Sequence, residues 1–475
     1  MAIFARKAPP QYRGYLDRIE DGRLTGWADD RLAPKQRLVV EIFAAGAPLG
    51  AVRAELFRDD LAHAGVGDGR HGFSFAMPEG GTAVETLAAR VAGSDFWLRS
   101  TLSRPSAAMI NAPRRGLALL EGGFSARTAG DDDVGVAAEL IEAWRRLKPR
   151  ASLDPKTMWG GIVRTRHRAL ADLLAGDDAG ALAACLVDIQ KRPESRGLMQ
   201  GDEAWADLVA ASPEGRRAAL APFHDMLASL AQYLGVFRAD CDELDFEGEA
   251  LAVGQAALVA AIDAKVGFSI APPTVFDGLF GLAIGDRIVH ARDIQSLYAA
   301  LRTIESSGLP SPRVCEIGGG FGKAACYAHR LGVKRYVVVD LPTVSAMQYF
   351  TLRRCLPDVR VTLRSPGERL GEDDGIDLVL APQPGEAVAI RADIALNCDS
   401  FPEMGDAVCA DYFARLPQWA PLLLSINQEA ARPVRGPSNR QSVVSALLPQ
   451  HGFSRRYRFR NWIRRGYVEE LWAHG

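Results

Sequence analysis

The sequence predicts a multidomain protein: an N-terminal all-β sandwich, a helical middle region and a C-terminal α/β domain. Three observations carry that division. Residues 12–105 alternate apolar and polar positions between regularly spaced glycine turns. From Asp133 to about Lys265 the apolar spacing changes to three and four residues. Residues 312–342 then read strand, glycine turn, helix, strand, acid, which is half of a nucleotide-binding α/β unit. A chain of 475 residues also exceeds what one hydrophobic core organises. The expected boundaries are 1–105 for the sandwich, 106–133 for a linker, 134–267 for the helical region and 268–475 for the α/β domain.

In the first segment, GYLDRIEDGRLTGWADD supplies two short strands around Asp21-Gly22, and RLVVEIFAAGAPLGAVRAEL supplies two more around Ala45-Gly46. HGFSFAMP alternates with Phe73 and Phe75 on one face, and LAARVAG and DFWLRS complete the set. The Asp- and Gly-rich stretch between them holds Asp59, Asp60 and Asp68 but lacks the D-x-[DN]-x-[DN]-G order of a calcium loop, so a turn-rich connection is expected. With Gly14-Tyr15, Gly26-Trp27-Ala28, Arg58-Asp59-Asp60-Leu61, Gly65, Gly67, Asp68-Gly69 and Phe73, the segment resembles a β-sandwich module attached to bacterial glycosyltransferases and other polysaccharide-biosynthesis proteins. That resemblance implies a glycan-related setting and a docking role. Trp27 is the residue to nominate for sugar stacking, although a strand tryptophan is more often core.

The middle region contains VGVAAELIEAWRRL, RTRHRALADLLAG, AGALAACLVDIQKR, EAWADLVAAS, EGRRAALAPFHDMLASLAQYLGV and ALVAAIDAKVG, each with helical periodicity. Asp178 and Ser212-Pro213-Glu214 are expected helix starts. His167 and His224 have no second ligand at i+4, which argues against a metal. HARDIQSLYAALRTI is a further helix, set immediately before the first strand of the α/β domain.

The glycine turn decides between ligands by its spacing. A dinucleotide fingerprint needs glycine where Lys323 stands; a Walker phosphate loop needs glycine at Ile317 and a hydroxyl at Ala324. What remains is Glu316 followed by Gly318, Gly320 and Gly322, with an acid, Asp340, at the end of the next strand. This looks like the first motif of class I S-adenosylmethionine (SAM) methyltransferases, a Rossmann-like fold. SAM carries no phosphate, so a loop without a phosphate-binding pattern suits it, and Asp340 can accept hydrogen bonds from both ribose hydroxyls. The remaining strands are expected at VRVTL, IDLVLAP, the apolar start of ADIALNCDSFPEM and LLLSINQE, with a terminal hairpin of FSRRYRFRNWI and GYVEELWA.

Composition narrows the function classes. A net charge of -2, with 48% hydrophobic and 24% charged residues, describes a soluble globular protein and argues against a nucleic-acid binder. No apolar run reaches the roughly 18–20 residues of a membrane span, and the first residues lack a signal-peptide core. Seven cysteines, scattered without C-x-x-C spacing, suggest reduced thiols and a cytoplasmic location.

Ligands of open α/β sheets bind beyond the C-terminal strand ends. That rule gathers Gly318–Gly322, Asp340, Ala381-Pro382-Gln383, Asn397–Met404 and Asn427–Glu429 on one rim. VCEIGGGFG, VVVDLP, LNCDSFPEM, SINQE and RRGYVEELW together resemble the sugar O-methyltransferase family of bacterial glycan biosynthesis, and the likeness extends back through the ARDIQSLY helix to Trp159. It implies methyl transfer from SAM to a sugar hydroxyl. Carried over by position, Glu316, Gly318, Gly319, Gly320, Phe321, Gly322, Asp340, Leu341 and Gln383 would form the cofactor site. Asn397 would belong to both that site and the transfer site, and Asp399, Ser400 and Glu403 would face the transfer. Arg292 is a candidate partner for the SAM carboxylate or a solvent-facing helix arginine.

A sugar hydroxyl is a weak nucleophile, so a general base is expected among Glu403, Asp399, Glu429 and His290, with Glu403 first because of its loop. His290 has the ordinary pKa best suited to the task. No third ligand joins Asp399 and Glu403, so no metal is predicted. Arg455, Arg456, Arg458, Arg460, Arg464 and Arg465 form either a cationic edge for a nucleotide- or lipid-linked acceptor or a hairpin protected by charge. The expected partners are a sugar or glycan acceptor, a second copy or a glycan-assembly protein, with no nucleic acid. Two other readings stand beside this one: an NAD-dependent oxidoreductase, and a non-catalytic glycan-assembly protein with a vestigial SAM fold.

Overall fold

A computed structural model describes residues 11–20, 22–44, 46–78, 87–100, 120–147, 158–238, 253–383, 385–429 and 441–475. The chain divides into two compact units, residues 1–113 and 114–475. Residues 106–119 of the expected linker lie outside the described residues. Among the described residues no helix is long and apolar enough to cross a membrane.

In the first unit, β1 (Tyr12–Glu20), β2 (Arg23–Asp30), β5 (Leu56–Phe57), β6 (Arg70–Ala76) and β8 (Arg99–Ser100) form a five-stranded sheet in the order β5-β6-β2-β1-β8. Strands β3 (Val39–Ala44), β4 (Ala47–Arg53) and β7 (Leu87–Val91) form a second sheet, β4-β3-β7. Alternation gives each sheet one apolar face, and Leu16, Leu24 and Phe73 of the first share a single buried cluster with Val40, Ile42 and Val91 of the second. Asp59 and Asp60 open the short helix α1 (Asp59–His63), while Asp68 pairs with Arg37, so the three carboxylates do not converge on one cation. The Trp27 ring is half-buried beside Tyr15, with Arg13 over its face.

The second unit begins inside the expected linker. Strand β9 (Gly122–Phe124) pairs with β10 (Phe280–Ile284), which pairs with β11 (Arg287–Val289). Helix α2 (Asp131–Leu147) also starts within it. The helices α3 (Met158–Arg166), α4 (Arg168–Ala175), α5 (Ala179–Val187), α6 (Gly201–Ala210), α7 (Pro213–Tyr233), α8 (Gln255–Val266) and α9 (Ala291–Ser307) follow. Asp178 and Ser212 cap α5 and α7 by accepting from the amides of Ala181 at 2.8 Å and Gly215 at 3.0 Å. The segment expected as one helix over RTRHRALADLLAG breaks at His167. Its buried imidazole reaches across to Thr343 Oγ1 at 2.7 Å, a tertiary contact that periodicity does not reveal.

The eight-stranded sheet comprises β12 (Val314–Ile317), β13 (Arg335–Asp340), β14 (Val361–Arg364), β15 (Gly375–Leu380), β16 (Ile394–Cys398), β17 (Leu422–Gln428), β18 (Phe453–Arg460) and β19 (Tyr467–His474). Its order is β14-β15-β13-β12-β16-β17-β19-β18. The first six strands run parallel, and β19 lies antiparallel between β17 and β18. The chain turns one way from β12 to β13 and the other way across β12 to β16, so the topological switch point falls between β12 and β16. One sheet face shares its core with the helical region: Val314, Val338, Leu378 and Leu396 join Leu140, Leu182, Leu227 and Leu258 in one cluster. The helical region is therefore a layer of the same unit as the sheet. Helix α10 (Lys323–Arg330) follows β12, α11 (Pro342–Cys355) follows β13, and α12 (Ser400–Met404) and α13 (Asp406–Trp419) lie between β16 and β17.

Candidate active site

A cavity of about 480 Å³ lies over the C-terminal ends of β12, β13, β15 and β16, at the switch point. Its lining combines Glu316 and Gly318–Phe321 after β12, Asp340 and Leu341 after β13, and Ala381–Gln383 after β15. Asp399, Ser400 and Glu403 follow β16, with walls from Trp159, α9 and Arg464.

The glycines shape its floor. Gly318, Gly320 and Gly322 all hold positive φ, at 73°, 56° and 73°. A Cβ at Gly318 would collide with the Ser400 side chain, and one at Gly319 would sit 2.7 Å from Val338 Cγ1 and 3.0 Å from Glu316 Oε2. A Cβ at Gly320, by contrast, would meet nothing within 4 Å, so the loop presents bare backbone there. Gly322 does not line the cavity; it turns the chain into α10. Phe321 lines it, buried edge-on to Phe276. Lys323, which stands where a dinucleotide loop needs glycine, is ion-paired with Asp293.

Two carboxyls flank this loop. Glu316 accepts a hydrogen bond from the Tyr336 hydroxyl at 3.0 Å, yet burial raises its pKa to about 7. Asp340 accepts from the Leu341 amide and from Gln348 Nε2, both at 2.7 Å, and burial again outweighs these bonds and raises it to about 7. Two carboxyls whose anions are disfavoured by burial suit a ligand that brings hydroxyls and a cation. Bare glycine backbone, a paired acid and the absence of a free phosphate-binding lysine fit SAM on residue chemistry alone.

The β16 side holds the candidate transfer groups. Asn397 is fully buried, donating to Ile317 O at 2.9 Å and Ser400 Oγ at 2.6 Å while accepting from Asn427 at 2.9 Å. It ties β16 to the glycine strand and does not line the cavity, which corrects its assignment as a cofactor contact. Asp399 is the one non-glycine residue with positive φ among the described residues, at 69°. Burial opposes its charge, but Arg292 and Arg464 outweigh burial and hold its pKa at about 2. An acid that weak as a base cannot take a proton near neutrality, so Asp399 is corrected from catalyst to anchor. Arg292 accordingly faces the cavity already paired with Asp399, not as a solvent-facing helix residue.

Glu403 behaves differently. Its Oε2 accepts from Trp159 Nε1 at 3.1 Å, while burial and the nearby Asp399 charge raise its pKa to about 7. That is the range of a general base working at neutral pH.

The other two proposed bases lie elsewhere. His290 caps α9: Nδ1 accepts from the Arg292 amide at 3.0 Å, the ring packs against Phe223, and burial with the Lys323 and Arg292 charges keeps it neutral. Glu429 is bound by Arg458 and Ser445, and its hydrogen bond from Arg458 lowers its pKa. Neither lines the cavity. The arginine cluster is partly spent within the protein, Arg455 and Arg458 on Glu470 and Arg464 on Asp399. Sequence reasoning did not assign Trp159 or Tyr298 to the site, and it placed Arg464 only in a hairpin cluster read either as an acceptor-facing edge or as protection by charge. Trp159 and Arg464 lie in stretches that carried the family resemblance, but nothing local marks them as facing Glu403 and Asp399.

No known protein-family profile matches the sequence, and no curated protein matches it. Several solved structures are similar over part of the chain. The glycopeptide N-methyltransferase MtfA in complex with S-adenosyl-L-homocysteine (SAH) is 17% identical over 37% of this chain and 88% of that one, with a TM-score of 0.29. Magnesium protoporphyrin IX methyltransferase from Synechocystis, with bound SAH, is 11% identical over 38% of this chain and 83% of that one, TM-score 0.29. A SAM-dependent methyltransferase from Mesorhizobium loti is 13% identical over 38% and 97%, TM-score 0.27. Similarity at this level carries no argument about substrate or residue roles, which rest on the site's own geometry.

Proposed function

We propose that this protein is a SAM-dependent O-methyltransferase acting on a hydroxyl of a sugar, in a bacterial surface polysaccharide or its precursor. The observation that carries the reading is the sharing of one cavity by the Glu316–glycine–Asp340 cradle and by Glu403, whose pKa is about 7. SAM, when bound, supplies a methyl group on a sulfonium leaving group. The chain's own part is to hold and orient. Glu316, the backbone of Gly318–Gly320 and Asp340 form the cofactor cradle, with Leu341 and Gln383 beside it. Glu403 takes the proton of the acceptor hydroxyl at Oε1 or Oε2, and Trp159 Nε1 holds the carboxylate in place before the transfer. Ser400, held by Asn397 and Ile317, keeps the β16 loop against the glycine turn. Orientation of the hydroxyl within the cavity supplies much of the rate, because the methyl donor is already reactive. The family resemblance supports the sugar acceptor, and the N-terminal unit is assigned a glycan-docking role on the same ground.

Titration calorimetry of the purified protein with SAM, SAH and NAD tests the cofactor: SAM and SAH bind and NAD does not. Mass spectrometry of surface glycan from cells with and without the protein tests the acceptor, with a difference of one methylene expected. Tight NAD binding without SAM binding would establish an oxidoreductase instead.

A further inference from the structure

Asp399 carries backbone strain of the kind that is kept only where the surroundings require it. What surrounds it is a pair of arginines from distant parts of the chain. Arg292 comes from the first turn of α9, and Arg464 from the turn between β18 and β19, where its guanidinium also lies 3.5 Å from the centre of the Tyr467 ring. Arg464 Nη1 donates to both Asp399 oxygens at 2.8 Å; Arg292 donates to Asp399 and, at 3.2 Å, to Gln295. Both use Nη1 for these bonds. Their Nε and Nη2 groups have no hydrogen-bond acceptor among the described residues, and both side chains line the cavity.

The charge balance is uneven. Two guanidiniums face one carboxylate, and the other acid on this side, Glu403, is about half neutral near pH 7. A guanidinium fork is the group best shaped for a planar or tetrahedral oxyanion, and one held by a carboxylate behind it is already oriented. Neutral sugar hydroxyls would leave these donors underused in a partly desolvated site.

Building on the proposed methyl transfer, we propose that the acceptor is an acidic sugar, whose carboxylate or phosphate docks on Arg292 and Arg464 and so presents one hydroxyl to Glu403. Asp399 is then a positioning residue that keeps both forks aimed into the cavity. The strain at its backbone places its carboxylate between them.

The test uses the full-length protein loaded with SAH. Calorimetry compares uronic acids and sugar 1-phosphates with their neutral parent sugars, and both acidic classes are measured so that carboxylate and phosphate recognition are told apart. The acidic probes bind, the neutral ones bind at least tenfold more weakly, and added salt weakens only the former. Arg464→Gln and Arg292→Gln each weaken the acidic probe by roughly ten- to a hundredfold, with SAH affinity unchanged; each variant leaves Asp399 one arginine. Equal binding of acidic and neutral sugars overturns the proposal. So does loss of SAH affinity in both variants with 5′-methylthioadenosine binding intact, since the anion would then be the cofactor's own carboxylate. Failure of the wild-type protein to bind SAH overturns the methyltransferase reading itself, and this proposal with it.

Discussion

Replacing Glu403 by glutamine separates its catalytic role from its structural one, because the two change in opposite directions. The carboxyl sits at about 7 where an exposed glutamate titrates near 4.5, so the fold disfavours its anion by roughly 3 kcal/mol. Below 4.5 the group is protonated both folded and unfolded, and the difference contributes nothing. Between 4.5 and 7 the unfolded chain releases its proton while the folded protein keeps it, so stability falls as pH rises; above 7 the full penalty is present. Glutamine is neutral throughout and still offers an oxygen to Trp159 Nε1. Glu403→Gln is therefore expected to match the wild type in urea unfolding at about pH 4 and to exceed it by up to about 3 kcal/mol at about pH 8. Turnover is expected to drop by roughly 10²–10⁴, the usual contribution of a positioned base, while SAH affinity holds. In the wild type, kcat/KM should rise with pH to a plateau with a midpoint near 7, since only the carboxylate accepts a proton. A variant with turnover within a few-fold of wild type would refute Glu403 as base. A variant no more stable at high pH would refute the buried carboxyl itself.

Asp340→Ala should weaken SAH binding by at least about tenfold with the fold retained, since it removes the acceptor for a ligand diol; unchanged affinity in calorimetry would take Asp340 out of the cofactor site. Because a donor-bearing ligand favours the carboxylate, wild-type SAH binding should also tighten as pH rises through about 7 and release protons to the buffer. Trp159→Phe removes the hydrogen bond that opposes the upward shift of Glu403, so the rising limb of the pH–rate curve should move to higher pH. An unmoved limb would show that the indole does not act on the base. Glu429→Gln should leave turnover unchanged and cost no more than about 1 kcal/mol in denaturation, as a partly exposed ion pair outside the cavity; a large loss of turnover would return it to the site.

Much of the proposed cofactor half was legible from residues 314–340, because its chemistry is local. A glycine loop is selected position by position for φ and close approach, and an acid at a strand end is placed by the strand itself. The short apolar runs of β12 to β17, separated by helical stretches, likewise declare the α/β sheet, and the switch-point rule then names the rim without any coordinates. Spacing also rejected the dinucleotide and phosphate-loop patterns at Lys323, Ile317 and Ala324.

The acceptor half was not legible in this way, because it depends on which acids find partners. Asp399, Glu403, Glu429 and His290 are comparable candidates on paper. Only the tertiary structure brings Arg292 and Arg464 to Asp399, Arg458 to Glu429, and Trp159 to Glu403. Pairing lowers Asp399 and Glu429, burial and the Asp399 charge raise Glu403, and His290 is consumed in capping α9. The same holds for the boundaries: β9 joins a sheet with strands about 160 residues later, and the helical region becomes a layer of the sheet's core. Local sequence determined the backbone of the proposed cofactor cradle, through conformational preference. The tertiary structure decided which candidate carboxyl is left without an arginine partner and with a pKa near 7, because charge and desolvation are set by neighbours that the chain brings from far away.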